Sequence, residues 1–179
     1  MNYLLLALAV CSFLIYLRAI QKTFSNPHGI SSRLRFLLVS STFCAFIQFW
    51  ALAQTSRVFS SRSVIAVAFY AAGIAIFFAA KSALSGYRLA LAFSPDVPRF
   101  LIEKGIYSRV RHPFYMAYCL TWTAGVIATL SIPATITASL MIGIYVWAAR
   151  FEESKFGKST LAIDYVAYRA RAGMFWPKI

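Results

Sequence analysis

Residues 113–149 read PFYMAYCLTWTAGVIATLSIPATITASLMIGIYVWAA, a run of 37 residues without a charged side chain. As one continuous helix this run would be roughly 55 Å long, far more than the hydrocarbon core of a bilayer, which is about 30 Å thick. The run must therefore fold back on itself. Proline disfavours helix at the residue before it and is tolerated in a first helical turn, so the predicted turn is Ser131-Ile132-Pro133. The stretch thus predicts two spanning helices in an antiparallel hairpin.

Three further apolar runs precede this hairpin, namely Met1–Leu17, Phe36–Ser56 and Ser63–Ala80. Each is close to the length of about 20 residues that a spanning helix needs. The whole chain of 179 residues is 60% hydrophobic and only 13% charged, which is too apolar for a soluble domain of this size. The sequence therefore predicts an all-α integral membrane protein. It would be a single membrane domain, residues 1–179, with about five transmembrane helices, the last two forming the hairpin.

The basic residues are concentrated on one predicted side of the membrane. If the chain crosses the membrane five times, 16 of the 18 lysines and arginines lie on the same side of it. These are Arg18, Lys22, Arg33 and Arg35 in the first loop, Lys81, Arg88, Arg99, Lys104, Arg109 and Arg111 in the third, and Arg150, Lys155, Lys158, Arg169, Arg171 and Lys178 in the tail. Only Arg57 and Arg62 lie on the other side. Because basic loops stay in the cytoplasm, we expect a cytoplasmic C-terminus and an N-terminus on the opposite side.

The tail after the last span shows a helical pattern instead of a spanning one. Leu161, Tyr165, Tyr168 and Ala172 share one face, while charged residues lie elsewhere. This pattern predicts a C-terminal amphipathic helix at the membrane interface. Since the bases lie between apolar runs, we expect anionic membrane lipids as partners and no nucleic acid.

The stretch GIYSRVRHPFY, residues 105–115, stands where the third cytoplasmic loop enters the fourth span. Pro113 suits the first turn of that helix. Arg111 and His112 would then lie at a helix N-terminus, whose free N–H groups bind anions. The alternative is a membrane anchor, in which the arginines meet headgroups and the tyrosines form an aromatic belt.

A second stretch, Arg150-Phe151-Glu152-Glu153, follows the fifth span. Acidic residues at a membrane boundary are costly enough to suggest a function, although a pair that neutralises nearby arginines is an equal alternative. Neighbouring helical residues point about 100° apart, so the two carboxylates cannot share one orientation. The hairpin brings both stretches to the same membrane face. His112 and Tyr115 are thus predicted to lie near the glutamates.

The first stretch resembles the G-x-Y…R-H-P-x-Y motif of the isoprenylcysteine carboxyl methyltransferase and phospholipid methyltransferase group of membrane enzymes. The glutamate pair, followed by Tyr165, Tyr168 and Pro177, resembles the E-E…Y-x-x-Y…P pattern of the same group, and Gly125 also fits. The resemblance covers residues 85–177. The apolar runs place three N-terminal spans in residues 1–84, and the resemblance implies a cofactor-binding and catalytic half in residues 85–179.

The resemblance implies S-adenosylmethionine as cofactor, held between the loop before the fourth span, the H-P-x-Y turn and the C-terminal helix. Carried over by position, the cofactor-binding residues are Arg99, Phe100, Leu101, Ile102, Tyr107, Arg111, His112, Pro113, Phe114 and Tyr115. The residues expected to face the acceptor or complete the site are Arg150, Glu152 and Glu153. The spacing to Tyr165 favours Glu153 as the glutamate that faces the site.

Methyl transfer from a sulfonium needs no metal, and the sequence holds no metal-ligand pattern. The acceptor would be a lipophilic carboxylate, amine or thiol that enters from the bilayer. Arg150 could position a carboxylate, Glu153 or His112 could accept a proton, and Tyr107 and Tyr115 could face the sulfonium. Two other functions compete with this one. They are a nicotinamide-dependent reductase of the sterol reductase type, and a non-catalytic transporter or scaffold.

Overall fold

The computed structural model of the protein describes residues 3–25, 29–55, 60–90, 92–94 and 96–178. Within these residues the chain forms six α-helices: α1 Tyr3–Thr23, α2 Ser32–Ala53, α3 Ser61–Ala83, α4 Pro113–Thr129, α5 Ile132–Phe156 and α6 Ala162–Arg171. A short 3-10 helix, Gly105–Ser108, precedes α4. Two strands of two residues each, β1 Phe24–Ser25 and β2 Leu89–Ala90, pair in parallel. The fold is therefore all-α apart from this one small pairing.

Three of the helices, α2, α3 and α5, are long and apolar enough to cross a membrane, and α1 contains a shorter apolar helix, Tyr3–Ala19. The outward face of α2 exposes a row of large apolar side chains: Phe36, Val39, Phe43, Phe46 and Trp50. An apolar surface of this kind is unfavourable in water and is the normal surface of a helix in lipid. The protein is a multi-pass integral membrane protein.

The fold-back predicted inside the last apolar run is confirmed. Helix α4 ends at Leu130, which has a left-handed backbone with φ of 48°, and α5 begins two residues later. The Ser131 hydroxyl accepts a hydrogen bond from the Ala134 amide, and Pro133 lies in the first turn of α5. Hydrogen bonds Tyr115–Glu152 and Trp122–Tyr145 join the two helices in antiparallel register.

Five helices form a ring in the order α1, α2, α5, α4, α3, with α3 also beside α1. The closest approach in this ring is between α3 and α4. A methyl group added to Gly73 would come within 2.9 Å of the Thr121 hydroxyl oxygen and 3.0 Å of the Ala117 carbonyl oxygen. A glycine at this position allows the two backbones to meet, as small residues do in membrane helix pairs.

The predicted amphipathic helix is present as α6, but its apolar face packs on protein and not on lipid. Tyr165, Tyr168 and Ala172 are buried and lie against Leu101 and Phe156. The sequence pattern identified the buried face of α6 correctly, because the helical repeat shows which apolar side chains share a face. The repeat does not show whether lipid or protein covers that face.

A long connection, residues 84–112, covers one end of the helix ring. β2 ties it to the chain segment that follows α1. Farther along, Phe93 packs on Trp147 and Phe151 of α5, and the Lys155 ammonium donates a hydrogen bond of 2.8 Å to the Ser94 carbonyl. These contacts hold the connection over the end of the bundle where α4 begins and α5 ends.

Candidate active site

One continuous cavity of about 1290 Å³ runs from this covered end into the bundle between α1, α2, α4 and α5. Sites for one drug-sized ligand usually measure about 300–1,000 Å³. The cavity is therefore large enough for two ligands side by side. Its polar end is lined by side chains of the connection, the start of α4, the end of α5 and α6.

The walls that α1 and α2 contribute to the cavity are mostly apolar. Ala9, Phe13 and Leu17 line it from α1, and Leu34, Leu37, Leu38, Ala45 and Phe49 line it from α2, beside the polar Ser41, Thr42 and Gln48. On α2 the lining runs from Leu34 to Phe49, a rise of roughly 22 Å along the helix. A cleft of this length and composition suits a long apolar molecule that lies along the bilayer normal.

At the polar end, His112 lies between two carboxylates. Its Nε2 atom is 3.0 Å from Glu153 Oε1, and its Nδ1 atom is 3.7 Å from Glu152 Oε2. The Tyr115 hydroxyl donates a hydrogen bond of 2.5 Å to Glu152 Oε1. One turn of α4 and one turn of α5 thus form a connected polar group of two acids, an imidazole and a phenol.

Arg111 stabilises this group from behind. Its Nε atom donates to Glu153 Oε1 at 2.9 Å, and its Nη1 atom donates to the Ala172 carbonyl at 2.5 Å. The side chains of Arg111 and Glu153 are 6% and 9% exposed, so this is a buried ion pair. A buried pair with several hydrogen bonds fixes the geometry of its members, because either charge alone would be unfavourable there.

The C-terminal tail holds the residues before α4 through its backbone. The Gly173 amide donates to the Arg109 carbonyl at 2.9 Å, and the Arg111 and His112 amides donate to the Gly173 and Met174 carbonyls at 2.8 and 3.0 Å. A methyl group on Gly173 would collide with the Trp176 carbonyl oxygen. Glycine is therefore required where the tail folds against the start of α4.

Three tyrosines surround the polar end from the 3-10 helix and α6. The Tyr168 hydroxyl donates to the Tyr107 carbonyl at 2.7 Å. Burial raises the pKa of the Tyr107, Tyr165 and Tyr168 phenols well above the usual value for tyrosine. All three phenols therefore stay protonated at neutral pH; Tyr168 already donates its proton, and the Tyr107 and Tyr165 hydroxyls have no hydrogen-bond partner among the described residues.

Eleven of the thirteen residues predicted for the site line the cavity. These are Arg99, Phe100, Leu101, Ile102, Tyr107, Arg111, His112, Pro113, Phe114, Tyr115 and Glu152. Glu153 is not among the lining residues and lies behind His112. Arg150 is exposed and also lies outside the lining, five residues before Lys155, which does line the cavity.

The expectation that Glu153 faces the site is wrong for this geometry. Glu152 lines the cavity, whereas Glu153 bonds Arg111 and His112. The physical reason is the rotation of α5, which is set by its packing against α4 and α2. Spacing along the chain says only that the two carboxylates diverge by about 100°.

The cavity residues not anticipated from the motifs include Gln48, Tyr118, Tyr145 and Lys155. Their common signal in the sequence is a polar group within a predicted span or at its end, which is costly in lipid and often marks function. Tyr115 stacks on Tyr145 with ring centroids 5.5 Å apart, and Tyr118 contacts both. Tyr115, Tyr118 and Tyr145 thus form one aromatic cluster beside the polar end.

The chemistry of this end is that of proton transfer and ligand orientation. Among the described residues, no group of three or more His, Cys, Asp or Glu side chains is arranged to hold a metal ion. The cavity instead offers the carboxylates of Asp96 and Glu152, phenols, the His112 imidazole and four basic side chains: Arg88, Arg99, Arg111 and Lys155. Such a surface suits a ligand with anionic groups beside a reacting centre.

Comparison with known families gives one match. The profile of a family described as "Protein of unknown function (DUF1295)" matches residues 19–172. No curated protein matches the chain.

Proposed function

The chain belongs to the DUF1295 family, and from the site described above we propose that it is an integral membrane methyltransferase that uses S-adenosylmethionine. The acceptor is a lipophilic carboxylate, amine or thiol that enters from the bilayer. We further infer a relation to the isoprenylcysteine carboxyl methyltransferase and phospholipid methyltransferase group, because most of the motif residues that carry that resemblance line one cavity.

The observation that carries the proposal is the form of this cavity. Its polar end collects His112, Tyr115 and Glu152 from the two motifs, and its apolar end is a cleft between α1 and α2. A soluble cofactor needs polar surroundings and a lipophilic acceptor needs apolar ones, and the two must meet where the methyl group is transferred. A volume of about 1290 Å³ accommodates both.

The polar end also fits the cofactor in its hydrogen-bonding groups. Tyr107 is 5% exposed and lines the cavity, and its hydroxyl has no hydrogen-bond partner among the described residues. The first turn of α4 has no side-chain cap, so the amides of Phe114 and Tyr115 can bind a carboxylate. The cofactor, when bound, supplies an activated methyl group on a sulfonium.

The protein groups have separate roles in this proposal. Glu152 lines the cavity and is placed to accept a proton from an amine or thiol, with Tyr115 orienting the carboxylate. His112 is held by Glu153 and contributes to the surface that receives the cofactor. The apolar walls exclude water, and alignment of donor and acceptor supplies the rest of the rate enhancement.

We propose five spans, formed by α1 to α5, with α4 and α5 as the final hairpin. The 17 residues of α4 are at the short end of the usual length for a spanning helix. Because 16 of the 18 basic residues lie at one end of this arrangement, we infer that the C-terminus and the polar end of the cavity are cytoplasmic.

The topology is tested with reporter fusions. A reporter placed after residue 179 should be cytoplasmic, and one inserted between Arg57 and Arg62 should be on the opposite side. The measurement is the activity of a paired reporter set in intact cells, one enzyme active only in the cytoplasm and one only outside it. Both positions on the same side would reject the five-span arrangement.

The cofactor is tested by calorimetry of the detergent-purified protein with S-adenosylmethionine, S-adenosylhomocysteine and NADPH. We expect binding of the first two. The second candidate function, a nicotinamide-dependent reductase, is favoured by Arg88, Arg99 and Lys155 at the polar end, since cations suit nucleotide phosphates. Binding of NADPH alone would establish that function, and binding of none would favour a transporter or scaffold.

Replacing His112 with alanine should weaken S-adenosylhomocysteine binding by about 10-fold or more, the equivalent of one or two lost hydrogen bonds. The fold should persist, because Glu153 keeps its bonds to Arg111. Arg150→Ala is the matched control, as Arg150 is exposed and outside the cavity. Equal affinity in His112→Ala and wild type would remove His112 from the cofactor site.

A further inference from the structure

A polar cluster lies deeper in the cavity than His112 and Glu152, on the other side of the Tyr115 ring. Its members are Gln48 of α2, Trp122 of α4 and Tyr145 of α5, and all three line the cavity. Tyr145 is seven residues before Glu152 on α5, which puts the cluster roughly 10 Å deeper in the bilayer.

The cluster is internally ordered by two hydrogen bonds through Trp122. Gln48 Nε2 donates to the Trp122 carbonyl at 3.1 Å, and Trp122 Nε1 donates to the Tyr145 hydroxyl oxygen at 3.1 Å. The three side chains are 4%, 7% and 5% exposed. Gly125 makes room for the amide, since a methyl group there would collide with it. The Gln48 amide is therefore held in one position.

Hydrogen-bonding capacity is left over at this position. The Gln48 carbonyl oxygen has no partner among the described residues, and the Tyr145 phenol accepts one bond while its own proton stays available. One acceptor and one donor thus remain on residues that line the same cavity. Polar groups in the membrane interior are costly when unpaired, so the arrangement fits a ligand that pairs with both.

We propose that Gln48 and Tyr145 form a second, deep subsite that recognises a hydroxyl group on the apolar part of the ligand. A hydroxyl donates to the Gln48 oxygen and accepts from the Tyr145 phenol, whereas a ketone or ether can only accept. The preferred ligand is a long lipophilic molecule with a hydroxyl roughly 10 Å from its reacting end. The inference rests on the proposed function only in naming this ligand as the methyl acceptor.

The test is direct binding of tritiated octadecylamine and its monohydroxy derivatives to the protein in lipid nanodiscs, without cofactor. The hydroxyl is moved stepwise along the chain. We expect one position to bind about 10-fold or more tightly than plain octadecylamine, with the ketone at that position intermediate. The proposal is overturned if no hydroxylated probe binds more tightly than plain octadecylamine.

Variants assign the preference to the subsite. Gln48→Met, of similar length, and Tyr145→Phe, which removes only the hydroxyl, should each reduce the preference for the hydroxylated probe. Thr137→Val is the control, since Thr137 is equally buried but bonds only the Pro133 and Ala134 carbonyls of its own helix. Thermal melting verifies the fold. If both Gln48→Met and Tyr145→Phe retain the preference, the cluster only links the helices and does not bind the ligand.

The binding test is independent of catalysis because it needs no methyl donor. If the protein binds S-adenosylhomocysteine but shows no preference for a hydroxylated probe, only the proposal of a deep subsite is rejected. If it shows the preference but does not bind the cofactor, the deep subsite stands and the methyl-transfer function is rejected.

Discussion

Glu152→Gln is expected to lower the rate of methyl transfer by about 10²–10⁴-fold, the usual contribution of a positioned proton acceptor. Glutamine keeps the shape of the side chain and its bond with Tyr115, but it cannot accept a proton. Glu152 is the only one of the adjacent glutamates that lines the cavity. The measurement is transfer of a labelled methyl group into lipophilic acceptors by the purified variant.

Glu103→Gln is the matched control for this change. Glu103 forms an ion pair with Arg171 at the surface and does not line the cavity, so the same substitution there should leave turnover close to that of wild type. Wild-type turnover in Glu152→Gln would show that this carboxylate takes no part in proton transfer. An acceptor that is already ionised, such as a carboxylate, would then be favoured.

Arg111→Met should destabilise the protein by about 3–5 kcal/mol, because it leaves the Glu153 carboxylate buried without its cationic partner. The substitution also removes the bond to the Ala172 carbonyl, so the C-terminal tail should be held less tightly against the start of α4, by its backbone bonds alone. We expect a lower melting temperature in detergent and faster tryptic cleavage after residue 158. Cofactor binding should fall as well, since His112 shares Glu153 with Arg111.

A second arginine–glutamate pair provides the comparison. Arg171 and Glu103 also form an ion pair, but their side chains are 55% and 35% exposed, against 6% and 9% for Arg111 and Glu153. An exposed pair contributes about 0–1 kcal/mol, so Arg171→Met should have a small effect. Equal losses of stability in the two variants would contradict the interpretation that burial makes the Arg111–Glu153 pair a fixed support.

The two motifs could be brought together from the sequence because membrane helices have few ways to fold. An uncharged run too long for one crossing must turn, and the turn has to occur near Pro133. Once the hairpin is fixed, the residues before α4 and at the end of α5 meet at one face. The proximity of His112, Tyr115 and the two glutamates can therefore be predicted from the length of the apolar run and the position of Pro133 alone.

What the sequence by itself determined is the set of apolar helices, their fold-back and the location of the polar chemistry at one end, since hydrophobic length and charge are properties of the chain. Only the tertiary structure decided which glutamate faces the cavity, because the rotation of α5 depends on side-chain packing with its neighbours. It alone turned Arg150 outward. It also brought Gln48 and Tyr145, which lie on different helices and share no motif, to hydrogen bonds with the same residue, Trp122, and no local pattern records this.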